Sequence, residues 1–254
     1  GVPVRGGRVG RGVVVGRGAY SQTWMDQWQG VPLKKPLTRV KETAIMVRSM
    51  LAGEKSDFDL STLHSTGYLQ PPLEQPVPIY LAALRPKMIE MAAEIGDGVI
   101  FNLWPREALP KMIEHVRIGA ERAGKDPDEV EVVNRHLVLV TDDKAAALDA
   151  FRRRMAPYYA TPVYNKFLAW AGYEDVATTI REGWAERNRD KTMGALSHEL
   201  ADEIAIVGTA DECRERIRWC GETGIHTHII APLPAAPEDV LRTFEAFTPE
   251  NFPR

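Results

Sequence analysis

The sequence predicts an α/β fold, a parallel sheet with helices packed outside it. Three observations carry that expectation. Apolar strand-forming runs recur near residues 13, 78, 99, 131 and 226. Helical stretches long enough to serve as crossovers separate them. The runs are continuously apolar, as parallel strands covered on both faces are. A doubly wound sheet and a (β/α)8 barrel both satisfy the pattern, and both place their sites at strand C-terminal ends.

In chain order, Val13-Val14-Val15 is the first strand signal, with Gly16-Arg17-Gly18 at its C-terminal end. Gly10, Gly12 and Gly16 imitate a dinucleotide fingerprint, but the valines fall inside it, so that motif is rejected. Tyr20 to Gly30, with Trp24 and Trp28 four apart, reads as a short amphipathic helix or ordered loop. Leu37 to Leu51 is a helix with Val40, Ala44, Val47 and Leu51 on its buried stripe and Gly53 at its end. Residues 54–75 are polar and irregular, and His64 there reads as a surface histidine.

Ile79-Tyr80-Leu81 is a buried strand that ends in the small pair Ala82-Ala83. Pro86 suits the first turn of a helix whose stripe is Met88, Met91, Ala92 and Ile95. The turn between them offers the N–H groups of Leu84, Arg85 and Lys87 at a positive helix end, beside two cationic side chains. That suits a phosphate. The alternative is an ordinary strand–helix connection capped by proline.

Gly98 to Asn102 is the next strand, with Asn102 placed to face a ligand or to cap the next helix. Glu107 to Gly124 is a helix that stops at Lys125-Asp126-Pro127. Val130 to Val140 is a long strand interrupted by Asn134, Arg135 and His136. These point into a pocket or are satisfied structurally, because an unpaired buried polar group costs about 1–3 kcal/mol. Asp142 to Met155 is helical, and Pro157 to Asn165 breaks the pattern. Helical, aromatic sequence then continues to residue 200, as a lid or a surface layer. Thr209 and Glu212 form a capping box after a turn at Gly208, opening a helix with Cys213, Ile217 and Cys220 inward. Ile225 to Ala231 is the last strand, and Pro232 to Phe247 holds a final amphipathic helix. His226 and His228 share a strand face, but no third ligand accompanies them, so no metal is assigned.

Bulk properties narrow the function. The chain has 254 residues, 44% apolar and 26% charged, with net charge −3. That balance argues against a general nucleic-acid binder. No apolar run approaches the ~18 residues of a membrane span. Two cysteines with no disulfide framework fit a reducing cytoplasm. Residues 1–12, rich in glycine and arginine, are expected to be flexible, and residues 1–254 are read as one domain.

Taken together, several segments resemble the luciferase-like monooxygenase superfamily, most of all its oxidoreductases that use the deazaflavin coenzyme F420. They are Val31-Pro32-Leu33 with the helix Arg39 to Leu51, then Pro78 to Lys87, then Ala93-Glu94-Ile95-Gly96-Asp97-Gly98, then Gly208 to Glu212. The resemblance runs from about Gly12 to Phe247. It implies a (β/α)8 barrel with a helical insertion before the last strand, and a cofactor at the strands' C-terminal mouth. Ala82, Ala83, Leu84 and Arg85 resemble the segment that holds the cofactor phosphate. Gly16, Arg17 and Gly18 resemble a second cofactor-contacting turn. The resemblance implies coenzyme F420, with FMN as the alternative, a small-molecule substrate and a homodimer or higher homo-oligomer. It also implies three further strand–helix units before Val13, roughly 95 residues of a barrel. About five of eight strands are therefore expected here, and no catalytic acid or base is named. A non-catalytic cofactor-binding or partner-subunit remnant is the alternative.

Overall fold

The computed structural model describes residues 15–17, 30 and 34–252. The expectations for residues 1–12, for Trp24 and Trp28, and for Gly18 lie outside the described residues.

Among the described residues the first elements are β1 (Val15–Arg17) and α1 (Pro36–Leu51). A two-stranded antiparallel hairpin comes next, β2 (Asp57–Asp59) and β3 (His64–Thr66), inside the stretch read as irregular. Its strands are three residues long and polar, too short for a periodicity to register. Exposed His64 binds Asp59 at 2.7 Å. Beyond the hairpin are β4 (Ile79–Ala82), α2 (Pro86–Ile95), β5 (Gly98–Asn102), α3 (Leu109–Arg122) and β6 (Glu131–Val140). Ile89, Met91, Ala92 and Ala93 are buried on α2, a broader face than the expected stripe.

Between β6 and the last strands stands a helical insertion: α4 (Lys144–Ala160), α5 (Pro162–Trp170), α6 (Glu174–Ala185), α7 (Arg189–Ala195) and α8 (His198–Ile204). The expected break at Pro157 does not occur. Helix α4 runs through Pro157 to Ala160, and the true break is at Thr161. Pro157 lies on the exposed side, where tertiary packing of Met155, Ala156 and Tyr159 outweighs the lost backbone bond. The chain closes with β7 (Ile206–Gly208), α9 (Ala210–Glu222), β8 (Thr227–Pro232) and α10 (Pro237–Ala246).

Six of these strands form one parallel sheet. Its order is β1-β4-β5-β6, with β8 on the far edge of β6. Strand β7 was not anticipated, since Gly208 reads as a turn and only Ile206 and Val207 precede it. Val138 of β6 pairs with Ile206 on one edge and Pro232 on the other. Asn134 likewise pairs with Phe101 and His228. So β7 lies on the same edge as β5, further along, and a gap between them leaves that edge of β6 without a strand neighbour at His136 and Leu137. The result is an open half-barrel. Helices α1, α2 and α3 cover its convex face, where Ile79, Leu81, Val99, Phe101 and Val132 are buried. Helices α2 and α3 touch closely at Gly119, where a Cβ would lie 2.2 Å from the Glu90 carbonyl oxygen.

The concave face is laid out in rows. Tyr80, Gly98 and Glu131 form the lowest, then Ala82, Ile100, Val133 and Thr227, then Asn102, Arg135 and Ile229. Glu131 accepts hydrogen bonds from the Tyr80 and Thr227 hydroxyls. Ile229 is 46% exposed there, and Thr227 and Arg135 are exposed beside it, while Tyr80 and Val133 are buried.

Candidate functional site at the strand C-terminal ends

The turn after β4 has the predicted geometry. Ala83 N–H donates to the Ile100 carbonyl at 3.1 Å, which continues the sheet one residue past the strand. Arg85 is extended (φ −119°, ψ 157°) and caps α2 with Pro86 behind it. Its carbonyl accepts from the N–H of Met88 and of Ile89, each at 2.9 Å. No hydrogen bond engages the N–H of Leu84, Arg85 or Lys87 among the described residues. Arg85 and Lys87 are exposed, and Leu84 packs against the core. A positive helix end therefore opens to solvent beside two cations.

The structure corrects the reading of the second turn. Gly16 and Arg17 belong to β1, paired with Tyr80 and Leu81, and do not form a turn beyond it. Parallel pairing to β4 holds the backbone extended through both residues. Their strand still ends beside the Ala82–Arg85 turn, on the neighbouring strand, so the two segments do lie together.

The polar trio of β6 divides between the two faces. Asn134 and His136 are buried on the convex side, and Arg135 is exposed on the concave side. The Trp104 indole N–H donates to Asn134 Oδ1 at 2.8 Å. The Asn134 amide then donates to His136 Nδ1 at 2.9 Å, which leaves His136 Nε2–H to donate to His228 Nδ1 at 3.0 Å. Burial, with His228 and Arg216 nearby, lowers the His136 pKa to about 3. Burial and the neighbouring His226 lower that of His228 to about 4. This relay of neutral rings ties β6 to β8 and is satisfied without a ligand. His226 precedes β8, and its Nδ1 accepts from Val132 N–H at 2.9 Å, a backbone cap. No group of three metal-ligating side chains stands together among the described residues.

Around the gap between β5 and β7 lies a cleft, lined in part by Trp104, His136, Glu203, Arg216 and Cys220, with room for about one water molecule. Arg216 donates to the Glu203 carbonyl at 2.7 Å, and Arg106 to Glu203 Oε1 at 2.7 Å. Burial lowers the Arg216 pKa. The cleft is too small for a cofactor.

The insertion meets the mouth of the half-barrel at β5. The Tyr159 hydroxyl donates to the Leu103 carbonyl at 3.0 Å. Tyr164 packs edge-on against Tyr159 and Tyr158, with ring centroids 5.9 and 6.1 Å apart. Desolvation raises the Tyr164 pKa, and the Asn102 amide and Arg135 partly oppose that shift. Sequence reasoning noted Tyr164 only as one of three tyrosines in an aromatic stretch suited to a flat ligand or to the core. The one signal for it was its place in an aromatic cluster just before an apolar helix.

The profile of the luciferase-like monooxygenase family matches residues 4–227. This chain belongs to that family. Among relatives, the 5,10-methylenetetrahydromethanopterin reductase of Methanolobus tindarius is 30% identical over 236 residues, 92% of this chain and 70% of that protein. The F420-dependent glucose-6-phosphate dehydrogenase of Gordonia bronchialis is 25% identical over 262 residues, 98% of this chain and 69% of that protein. In fold, the luciferase-like chain matches the coenzyme F420-dependent tetrahydromethanopterin reductase of Methanopyrus kandleri with a TM-score of 0.74. That match has 20% identity and covers 94% of this chain and 74% of the other. The FMN-bound oxygenating constituent of 3,6-diketocamphane monooxygenase from Pseudomonas putida matches with a TM-score of 0.56 at 18% identity, covering 94% and 70%. The α/β half-barrel and its family are those expected from the sequence. No helix among the described residues is long and apolar enough to cross a membrane.

Proposed function

We propose that this chain binds coenzyme F420, with FMN as the alternative, and serves an oxidoreductase that moves a hydride between that cofactor and a small organic substrate. The observation that carries the proposal is the cradle at Ala82–Lys87: three N–H groups unpartnered among the described residues, two exposed cations and small residues at the end of a buried strand. Such a group of donors suits a phosphate, and the small Ala82 leaves the row beside it shallow enough for a flat ring. The Gordonia bronchialis relative, named for F420, favours the deazaflavin.

In this reading the N–H groups of Leu84, Arg85 and Lys87 donate to the cofactor phosphate, and the side chains of Arg85 and Lys87 add charge. The end of β1 at Gly16 and Arg17 borders the same cradle. When bound, the deazaflavin or flavin supplies the hydride chemistry; the protein orients it and places the substrate. Titration with oxidised and reduced F420 and with FMN, monitored by absorbance or fluorescence, tests this. Saturable binding to one of them is expected, and no saturable binding to any would overturn the reading.

A second reading is a partner subunit that binds without turnover. The exposed Ile229 on the concave face favours it. Both outer edges of the sheet, on β1 and β8, lack a strand partner among the described residues, and such edges promote association. Light scattering that gives a homodimer or larger assembly supports this second reading, and an active monomer opposes it.

A further inference from the structure

Arg135 is an exposed guanidinium on the concave face with no ion pair or hydrogen bond among the described residues. Sheet register sets it between Asn102 on β5 and Ile229 on β8, in the row at the C-terminal end of β5. Asn102 lies on that same face, and its Oδ1 is buried with no hydrogen-bond partner. Its NH2 group donates to the Tyr164 phenol oxygen, which leaves the phenol O–H free to donate elsewhere. Above them Tyr164 is held by its packing on Tyr159, which the bond to Leu103 fastens directly beside Asn102. Two donors of different kinds thus stand near one another, a guanidinium and a phenol O–H, and the Asn102 amide holds the phenol oxygen in place.

We propose that Arg135, Tyr164 and Asn102 form an oxyanion subsite, one that takes the carboxylate or phosphate of the substrate. The chemistry is that of a charge-assisted, multi-donor anion site, for which arginine's planar fork is suited. Apolar Ile229 and Ile100 flank it and would hold the carbon skeleton. The proposal rests on the reading of the chain as a cofactor-dependent oxidoreductase, but it concerns a separate set of residues from the Ala82–Lys87 cradle.

The test is an NMR titration of the cofactor-free protein with inorganic phosphate and, separately, with succinate, observing the Arg135 side-chain Nε–Hε resonance. Saturable shifts are expected for at least one anion, and which anion binds identifies phosphate or carboxylate as the group recognised. Binding read on backbone amides of residues 102–104 should weaken about tenfold or more in Arg135→Gln, and less in Tyr164→Phe. Both variants should keep the wild-type melting temperature within a few degrees, because Arg135 is exposed and the phenylalanine retains the ring. Absence of saturable binding, or binding unchanged by Arg135→Gln, would overturn the subsite. F420 affinity is measured on the same variants. A loss of F420 affinity in Arg135→Gln would reassign the group to the cofactor's own anionic tail and also overturn the proposal. Failure of the anion titration leaves the cofactor titration standing, so the two ideas fail separately.

Discussion

Tyr159 donates its hydroxyl to the carbonyl of Leu103 at 3.0 Å, and Leu103 has a left-handed backbone with φ 56°. Both residues are buried. The bond therefore fastens the helical insertion to the place where the chain turns away from β5 and makes room for β7.

Removing that bond should be felt as stability. Tyr159→Phe keeps the ring and leaves a buried carbonyl without its donor, at a cost of about 1–3 kcal/mol. Leu103→Gly should relieve roughly 1–2 kcal/mol of left-handed strain. It should still be net destabilising, because emptying a buried leucine site costs about 2–5 kcal/mol. Urea denaturation of both variants checks the signs; a stabilised Leu103→Gly would mean the strain outweighs the packing.

Acid should destabilise the fold through the His136–His228 pair. Their folded pKa values, about 3 and about 4, lie below the ordinary histidine value. The unfolded chain therefore binds more protons as pH falls through about 6.5, and stability drops from there toward the folded values. The slope is on the order of 1 kcal/mol per pH unit for each group while the gap lasts. Denaturation midpoints between pH 7 and pH 4.5 should fall accordingly. By NMR the His136 ring should stay neutral at pH 5; a protonated ring at that pH would refute the account.

Both thiols should be silent in the folded protein. Cys213 and Cys220 are buried on α9, and burial pushes each thiol up to about 12. Thiolate is the reactive form, so labelling by a disulfide reagent at pH 8 should be slow and limited by opening of the structure. Two equivalents should react promptly in denaturant. Rapid native labelling of either would contradict the burial.

The start of α9 is a further point of attack. Thr209 Oγ1 accepts from Glu212 N–H at 3.3 Å, and Glu212 Oε2 accepts from Thr209 N–H at 2.8 Å. Thr209→Ala should cost about 1 kcal/mol, read as a lowered denaturation midpoint with an unchanged m-value.

Cofactor binding should respond to charge at the cradle. Arg85→Glu places a carboxylate where the phosphate is expected, and affinity for F420 or FMN should fall by about tenfold or more. Arg85 is exposed, so the fold should persist. An unchanged affinity would move the phosphate to another part of the mouth.

Where the sequence was informative, one element's own pattern was enough. The strand at Ile79, the helix opened by Pro86, the capping box at Thr209 and the stripe of Cys213, Ile217 and Cys220 each declare themselves within a few residues. The features it hid depend on distant partners. Strand β7 is three residues long and exists because Val138, Leu139 and Val140 lie alongside. Helix α4 passes Pro157 because its other faces are buried, which no local rule weighs. The trio Asn134, Arg135 and His136 divides between two faces by simple alternation. Which face is closed became visible only with the helices in place. The clustering of Tyr164, Asn102 and Arg135 joins three elements that the chain keeps far apart.

Strand β6 touches β5, β7 and β8, and its His136 reaches across to the last of them. No other strand of the sheet has three neighbours among the described residues. Its amide protons should accordingly be the slowest to trade with deuterium, and their exchange should track global opening rather than local breathing. Residues 133–135 and 138, paired on both flanks, would be the last to yield; His136 and Leu137, held by β8 alone between the two shorter strands, would go sooner and set the order in which the molecule comes apart.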